Sequence, residues 1–387
     1  MGHIDKRTRN AAAFWCTVMM IALGASDALR GVFLPVFKGT FGLSQTEASV
    51  IIMVSYIGNM VFLFLGGYIS DRVDRRKFII AVTLMWMSAL CIYIFTENYI
   101  LIVCAMLLSM GASTMLSTTV NVITPIAFMS PALMINIFNF IQGIGIVGAQ
   151  KIGGQFTGSI VYWHRANAVL LAMGLVGSAA LVFMKLPKPS SEKSSGGYGK
   201  IVKNPACFRL ILLFGTYCVA EHGLQNWLTT YGSEQLGYTV SQSADFLSYF
   251  FLGITVGRLV FAPIAAKIGA RKTLLVFSLT AGAAYMIGVL AGKSGIFLLC
   301  LSGLGFSVLW PTMVLLISKC YPSEQAGTAT GLVIGSATLF DIAFNALFGR
   351  FTEAVGLANS ILILPAAMLI YCIVYLELHM YLKKVGE

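Results

Sequence analysis

Twelve apolar stretches of about 20 residues follow one another along this chain, with only short polar segments between most of them. A helix of that length spans the hydrocarbon core of a bilayer. Inside that core every backbone N–H and C=O must be paired within its own segment or a closed barrel. The stretches are 12–36, 46–69, 77–95, 99–124, 133–158, 166–186, 206–231, 241–264, 273–291, 295–318, 326–349 and 357–381. They are continuous, whereas barrel strands alternate over about ten residues. The expected class is therefore an all-α membrane protein with 12 transmembrane helices. Composition agrees: 58% of the 387 residues are hydrophobic and only 11% are charged. A soluble domain carries about 25% charged residues.

The basic residues give the orientation. With the N-terminus inside, 19 of the 26 Lys and Arg fall on inner segments. Lys38, Arg165, Lys293 and Arg350 fall on outer ones. The positive-inside rule then places both termini in the cytoplasm of a multi-pass protein of the cell inner membrane. The net charge of +11 is thus explained by topology and does not call for a nucleic-acid partner. The eight cysteines are scattered and none forms a Cys-x-x-Cys pair, which argues against a metal site or a disulfide framework. The first apolar run is too long, and lacks the small-residue cleavage site, for a cleavable signal peptide.

The chain repeats itself. "GGYISDRVDRRK" in the second loop has a counterpart, "FAPIAAKIGARK", 195 positions later. Arg72 falls on Lys267, Arg76 on Arg271 and Lys77 on Lys272, while Asp71 falls on Ala266. The one long polar stretch between spans, rich in Pro, Ser, Gly and Lys, reads as a flexible linker. The domains are therefore expected at 1–186 and 206–387, two pseudo-symmetric six-helix bundles joined by a cytoplasmic linker over 187–205. A 6+6 chain with parallel halves has a transporter architecture, with a site near the bilayer midplane.

At this point the chain resembles the major facilitator superfamily over its whole length. The second loop of that superfamily reads Gly-x-x-x-Asp-Arg-x-Gly-Arg-Arg-Lys, and Gly67, Asp71, Arg72, Arg75, Arg76 and Lys77 match it. Asp74 stands where the pattern has glycine. A narrower likeness joins "YCVAEHGLQNWLTTY", "NFIQGIGIVGAQ" and "GLGFSVLWPT" to the bacterial fucose/galactose/glucose proton symporter group. The resemblance implies the major facilitator fold. It also implies that Gly67, Asp71, Arg72, Arg75 and Arg76 form a gating loop, with Asp71 latching onto the N-terminal end of span 11. A helix dipole favours an anion there.

Ionisable side chains at mid-bilayer cost about 2.5–3.5 kcal/mol or more, so the few present are candidates for function. Asp27 and Arg30 lie three apart on one face of span 1. Either they neutralise each other, or Asp27 takes up a proton and frees Arg30 to bind an anionic or hydroxyl-rich solute. Position 27 falls on His222 in the repeat and position 30 on Gln225. Span 7 thus holds an equivalent cluster: Glu221, His222, Gln225, Asn226 and Trp227. Glu221 is read as a proton-coupling group or as a tie to a neighbouring span. His222 is read as a solute ligand or as a neutral buried imidazole. Span 11 offers Asp341 for proton coupling and Asn345 for binding. Span 5 offers Asn139 and Gln142 for binding. Lys151 in the same span either gates against Asp341 or snorkels to the interface. Asn121 in span 4 is a further binding candidate. Trp310 either stacks on a sugar ring or packs, and Arg258 is a gate, a loop anchor or a ligand. The small-residue runs "GIGIVGAQKIGG" and "GTATGLVIGSA" read as surfaces that slide against neighbours.

A membrane enzyme or sensor would need a catalytic cluster or a soluble domain, and neither is evident. No Walker motif supports ATP-driven transport. The expectation is a secondary active transporter, not an enzyme, working by alternating access without cofactors. Its partners would be a small-molecule substrate, protons and the lipid bilayer, with the chain a monomer. Proton-coupled uptake of a small polar solute such as a sugar leads. Transport of an organic anion (a sugar acid or carboxylate) and export of an amphipathic compound follow.

Overall fold

The computed structural model describes residues 5–70, 73–184 and 198–385. The chain divides into two compact units, Met1–Glu192 and Lys193–Glu387. The first holds α1 (Lys6–Phe41), α2 (Gln45–Ser70), α3 (Arg75–Phe95), α4 (Tyr99–Ala127), α5 (Pro131–Gln155) and α6 (Ile160–Ala179), the last running into a 3-10 turn over Ala180–Phe183. The second holds α7 (Tyr198–Val202), α8 (Pro205–Glu234), α9 (Val240–Ile268), α10 (Ala270–Leu290), α11 (Ile296–Phe306), α12 (Leu309–Cys320), α13 (Ser323–Val355), α14 (Leu357–Ser360) and α15 (Ile363–Val385). Twelve segments among the described residues are long and apolar enough to cross a membrane, with α11–α12 and α14–α15 each forming one of them.

The helix starts are written in short polar residues. The Asp5, Asp74, Asn98, Ser159 and Asn204 side chains each accept from a backbone N–H in the first turn of α1, α3, α4, α6 and α8. Such caps satisfy donors that the helix itself cannot pair. The same device recurs at equivalent places in the repeat. Ser44 and Glu47 exchange side-chain bonds with each other's backbone at the start of α2 (3.2 and 2.9 Å). Thr239 and Gln242 do the same at α9 (3.1 and 2.9 Å). Both are capping boxes.

Packing repeats too. In the first unit α1 packs on α5 and α6, α2 on α4, and α3 on α4 and α6. In the second unit α8 packs on α13 and α15, α9 on α11, and α10 on α11 and α15. Close approach is bought with glycine: a Cβ on Gly58 would strike the Leu107 carbonyl, and one on Gly303 would strike the Phe250 carbonyl. The first core is built on Trp163, which meets Phe37 at 4.9 Å and Tyr93 at 5.0 Å between ring centroids. The second is built on Tyr217, Phe306, Tyr285 and Phe250.

Three spans depart from the sequence reading. The sixth begins at Ile160, not 166, because Ser159 caps it, and Arg165 is helical rather than in an outer loop. The tenth breaks at Ser307–Val308, because Pro311 lacks the N–H that would pair the Ser307 carbonyl. The twelfth breaks at Ile361–Leu362 for the same reason, four residues before Pro365. Pro35, Pro125 and Pro263 by contrast lie inside unbroken helices.

Candidate functional site

Each unit concentrates its buried polar chemistry on its first long helix. On α1, Asp27 is half-buried and Arg30 is 3% exposed. The Ser113 hydroxyl of α4 donates to Asp27 Oδ2 at 3.0 Å. Arg30 donates to the Ser55 hydroxyl of α2 and, from Nη2, to the Tyr56 hydroxyl at 3.4 Å. Its guanidinium also lies 4.9 Å from the Tyr56 ring centroid, a cation–π distance. Ser26, Asp27, Arg30, Ser109, Tyr93 and Trp163 line a cavity of about 10 Å³, close to the room one water needs. Arg30 is therefore held by α2, and solute is kept from it in this conformation.

On α8, His222 donates from Nδ1 to Asp341 Oδ2 of α13 at 3.0 Å. Asp341 is 2% exposed. Cys218 lies one turn before His222, and its thiol, the imidazole and the Asp341 carboxylate lie within 4.8 Å of one another. The cysteine spacing gave no hint of this, because Cys218 and His222 form a Cys-x-x-x-His pair and Asp341 comes from a distant helix. The Glu221 carboxylate faces the Tyr217 hydroxyl one turn earlier. Asp341 thus meets His222 within its own unit; Lys151 is half-buried on α5.

Several of the candidate solute ligands make interior contacts in this structure. Trp227 is fully buried, meets the Phe348 ring at 4.5 Å and donates from Nε1 to Asn345 Oδ1 at 3.1 Å. Asn345 donates to the Asp341 carbonyl (2.8 Å), and Asn226 to the His222 carbonyl (2.7 Å). Both asparagines have no exposed surface. In this structure the Trp227–Asn345 bond fastens α8 to α13, and the two asparagines pair backbone carbonyls of their own helices. Trp310 packs on Phe214 and Tyr217 at 5.2 and 5.8 Å and stays half-buried. Gln225 is 8% exposed. Asn139, Gln142 and Arg258 are half-buried and Asn121 is exposed.

In the loop motif, Gly67 falls in α2, while Asp71 and Arg72 lie outside the described residues. Asp74 now has a role: it caps α3, accepting from the Lys77 N–H at 3.1 Å. Arg76 donates to the Val182 carbonyl at 3.5 Å, and its repeat mate Arg271 donates to the His379 carbonyl at 3.4 Å. Both tie the start of a span to the C-terminal end of the unit's last span. Arg75 is half-buried beside them. Sequence reasoning did not single out Gln150, a fully buried α5 residue whose side-chain amide has no hydrogen-bond partner among the described residues.

Comparison with known proteins defines the class. The model of the Major Facilitator Superfamily matches residues 16–340, and the chain belongs to that family. It is a multi-pass membrane transporter. An uncharacterised MFS-type transporter of Bacillus subtilis, YceJ, is 24% identical over 280 residues, covering 69% of this chain and 70% of YceJ. The glucose/mannose transporter GlcP of the same organism is 23% identical over 356 residues, covering 87% of this chain and 86% of GlcP. Among solved structures, a POT family transporter in complex with a thioalcohol-conjugated peptide superimposes with a TM-score of 0.79 at 15% identity, over 98% of this chain and 97% of that one.

Proposed function

We propose that this protein takes up a small polar solute such as a sugar, by alternating access, driven by protons, with both termini in the cytoplasm. The observation that carries the reading is the α1 cluster. A membrane-spanning helix keeps a half-buried carboxylate, Asp27, on a serine hydroxyl one turn from a buried arginine. A carboxylate held by a hydroxyl at mid-span can exchange a proton without losing its place, because Ser113 donates to the anion and can accept from the acid. Asp27 is thus assigned the coupling proton. The likeness to a glucose/mannose transporter supports a sugar as solute.

One observation favours an amphipathic organic anion as the second reading. The second unit carries an apolar groove of about 830 Å³, lined by Val219, Phe340, Phe344, Leu347, Phe348 and others, with Arg350 as the charge in its lining. The test is uptake into proteoliposomes under an imposed proton gradient, using labelled glucose, mannose, glucuronate and an aryl carboxylate. Gradient-stimulated accumulation of a hexose is expected. Hexose uptake that is the same with the gradient collapsed would sink the coupling, and accumulation of the aryl carboxylate alone would favour the second reading.

A further inference from the structure

Cys218 and His222 stand four residues apart on α8, so their side chains share one face. Asp341 reaches the same point from α13. The three ligand atoms lie within 4.8 Å of one another, with His222 Nδ1 3.0 Å from Asp341 Oδ2. In a tetrahedral zinc site, metal–ligand bonds of about 2.0–2.3 Å put neighbouring ligand atoms roughly 3.3–3.6 Å apart. Small side-chain rotations close the observed set onto one centre.

A second observation points to a cation. Asp341 is 2% exposed and its Oδ1 has no hydrogen-bond partner among the described residues. A carboxylate oxygen left unmatched at this depth is costly, and a metal ion would satisfy it. Charge fits as well. A divalent cation with one thiolate, one carboxylate and a neutral imidazole is electrically neutral, the state a bilayer interior tolerates. The donor set decides the class: sulfur and nitrogen beside one oxygen suit a borderline first-row ion, whereas magnesium and calcium take oxygen. The supports are in place, since Asn226 and Asn345 hold the carbonyls of the helical turns that carry His222 and Asp341. Three protein ligands leave a fourth position, and the His222 side chain keeps 28% of its surface exposed.

We propose that Cys218, His222 and Asp341 form a binding site for a borderline divalent transition-metal ion, for which Zn2+ is the probe. On binding, the Cys218 thiol loses its proton to solvent and its sulfur bonds the metal. His222 moves its ring proton from Nδ1 to Nε2, breaks its bond to Asp341 and offers the Nδ1 lone pair. Asp341 turns from the imidazole to the ion. The ion then bridges α8 to α13. The site shares no residue with the α1 cluster, so its fate is separate from that of the transport reading.

The test uses the purified protein in detergent. Zn2+ binding is measured by competition with a chromophoric chelator, and Co2+ substitution by absorption. One Zn2+ per chain is expected. C218S and D341N should each lower affinity at least tenfold, because losing a direct ligand should exceed the roughly 10–100-fold cost of losing an outer contact. C16S, which alters a buried cysteine of α1, should bind as the parent does. The Co2+ form of the unmutated protein should show a thiolate-to-metal charge-transfer band, a readout that needs no variant to fold. No Zn2+ binding, parental affinity in both C218S and D341N, or a Co2+ spectrum without the thiolate band would each overturn the proposal.

Discussion

The two units share a repeat of 195 positions but fasten their first long helices differently. In the first unit α1 meets α5 through backbone. Cβ atoms added at Gly24 or Gly145 would strike the carbonyls of Gln142 and Ile21 respectively. The repeat mate of Gly145 is Phe340, and its ring fills the space over Gly215 of α8. The second unit then adds Trp227 against Phe348 and Asn345, and His222 against Asp341. The polar groups divide accordingly. Asp27 and Arg30 turn to α4 and α2, while His222, the counterpart of Asp27 on α8, turns to α13. A duplicated backbone thus kept its pairing of helices and changed the chemistry at one joint. The first joint is thin and the second is pinned by large side chains. That leaves the α1 carboxylate on the Ser113 hydroxyl and sets the α8 cluster against Asp341.

Mutations can break this contrast, and the largest effect should come from the pinned joint. Trp227→Ala removes a fully buried indole and strands Asn345 Oδ1, and should cost about 3–5 kcal/mol. A large drop in melting temperature in detergent is expected; Val32→Ala, at the equivalent place in α1, should cost far less. Gly145→Ala should come next, at about 1–3 kcal/mol for overpacking, read in the same melt. Gly148→Ala, on the same helix with open space around it, should be near neutral, and equal effects would refute the thin-joint account. The smallest effect concerns Asp74, whose repeat mate is Gly269. Asp74→Ala should cost about 1 kcal/mol for the lost cap. Gly269→Asp should give no matching gain, because Gly269 has φ +82, where a side chain is strained.

Much of this was legible in the sequence because its causes are local. Hydropathy located all twelve spans; the starts are set by local caps such as Asn98, Ser159 and Thr239, a signal hydropathy does not carry, so it places the sixth span six residues late. The breaks at Pro311 and Pro365 were not separable from the tolerated prolines 35, 125 and 263, since neighbouring packing decides that outcome. The mid-span charges stood out at once, but their partners did not. Asp341 and His222 are 119 positions apart, and no spacing rule reaches across two helices. Asn226, Trp227 and Asn345 looked like ligands because polarity in a span marks a need for satisfaction. It does not say whether solute or a neighbouring helix meets that need. Asp74 looked like a departure from the family loop, yet the local rule for helix caps explains it.

The central claim is that Asp27 carries the coupling proton, and one measurement addresses it directly. Proteoliposomes holding the parent protein or Asp27→Asn are compared for gradient-driven accumulation and for gradient-free counterflow exchange of labelled glucose. The account predicts that Asp27→Asn loses accumulation and keeps counterflow, because the amide still accepts from Ser113 but cannot exchange a proton. Accumulation by Asp27→Asn at the parental level would contradict it.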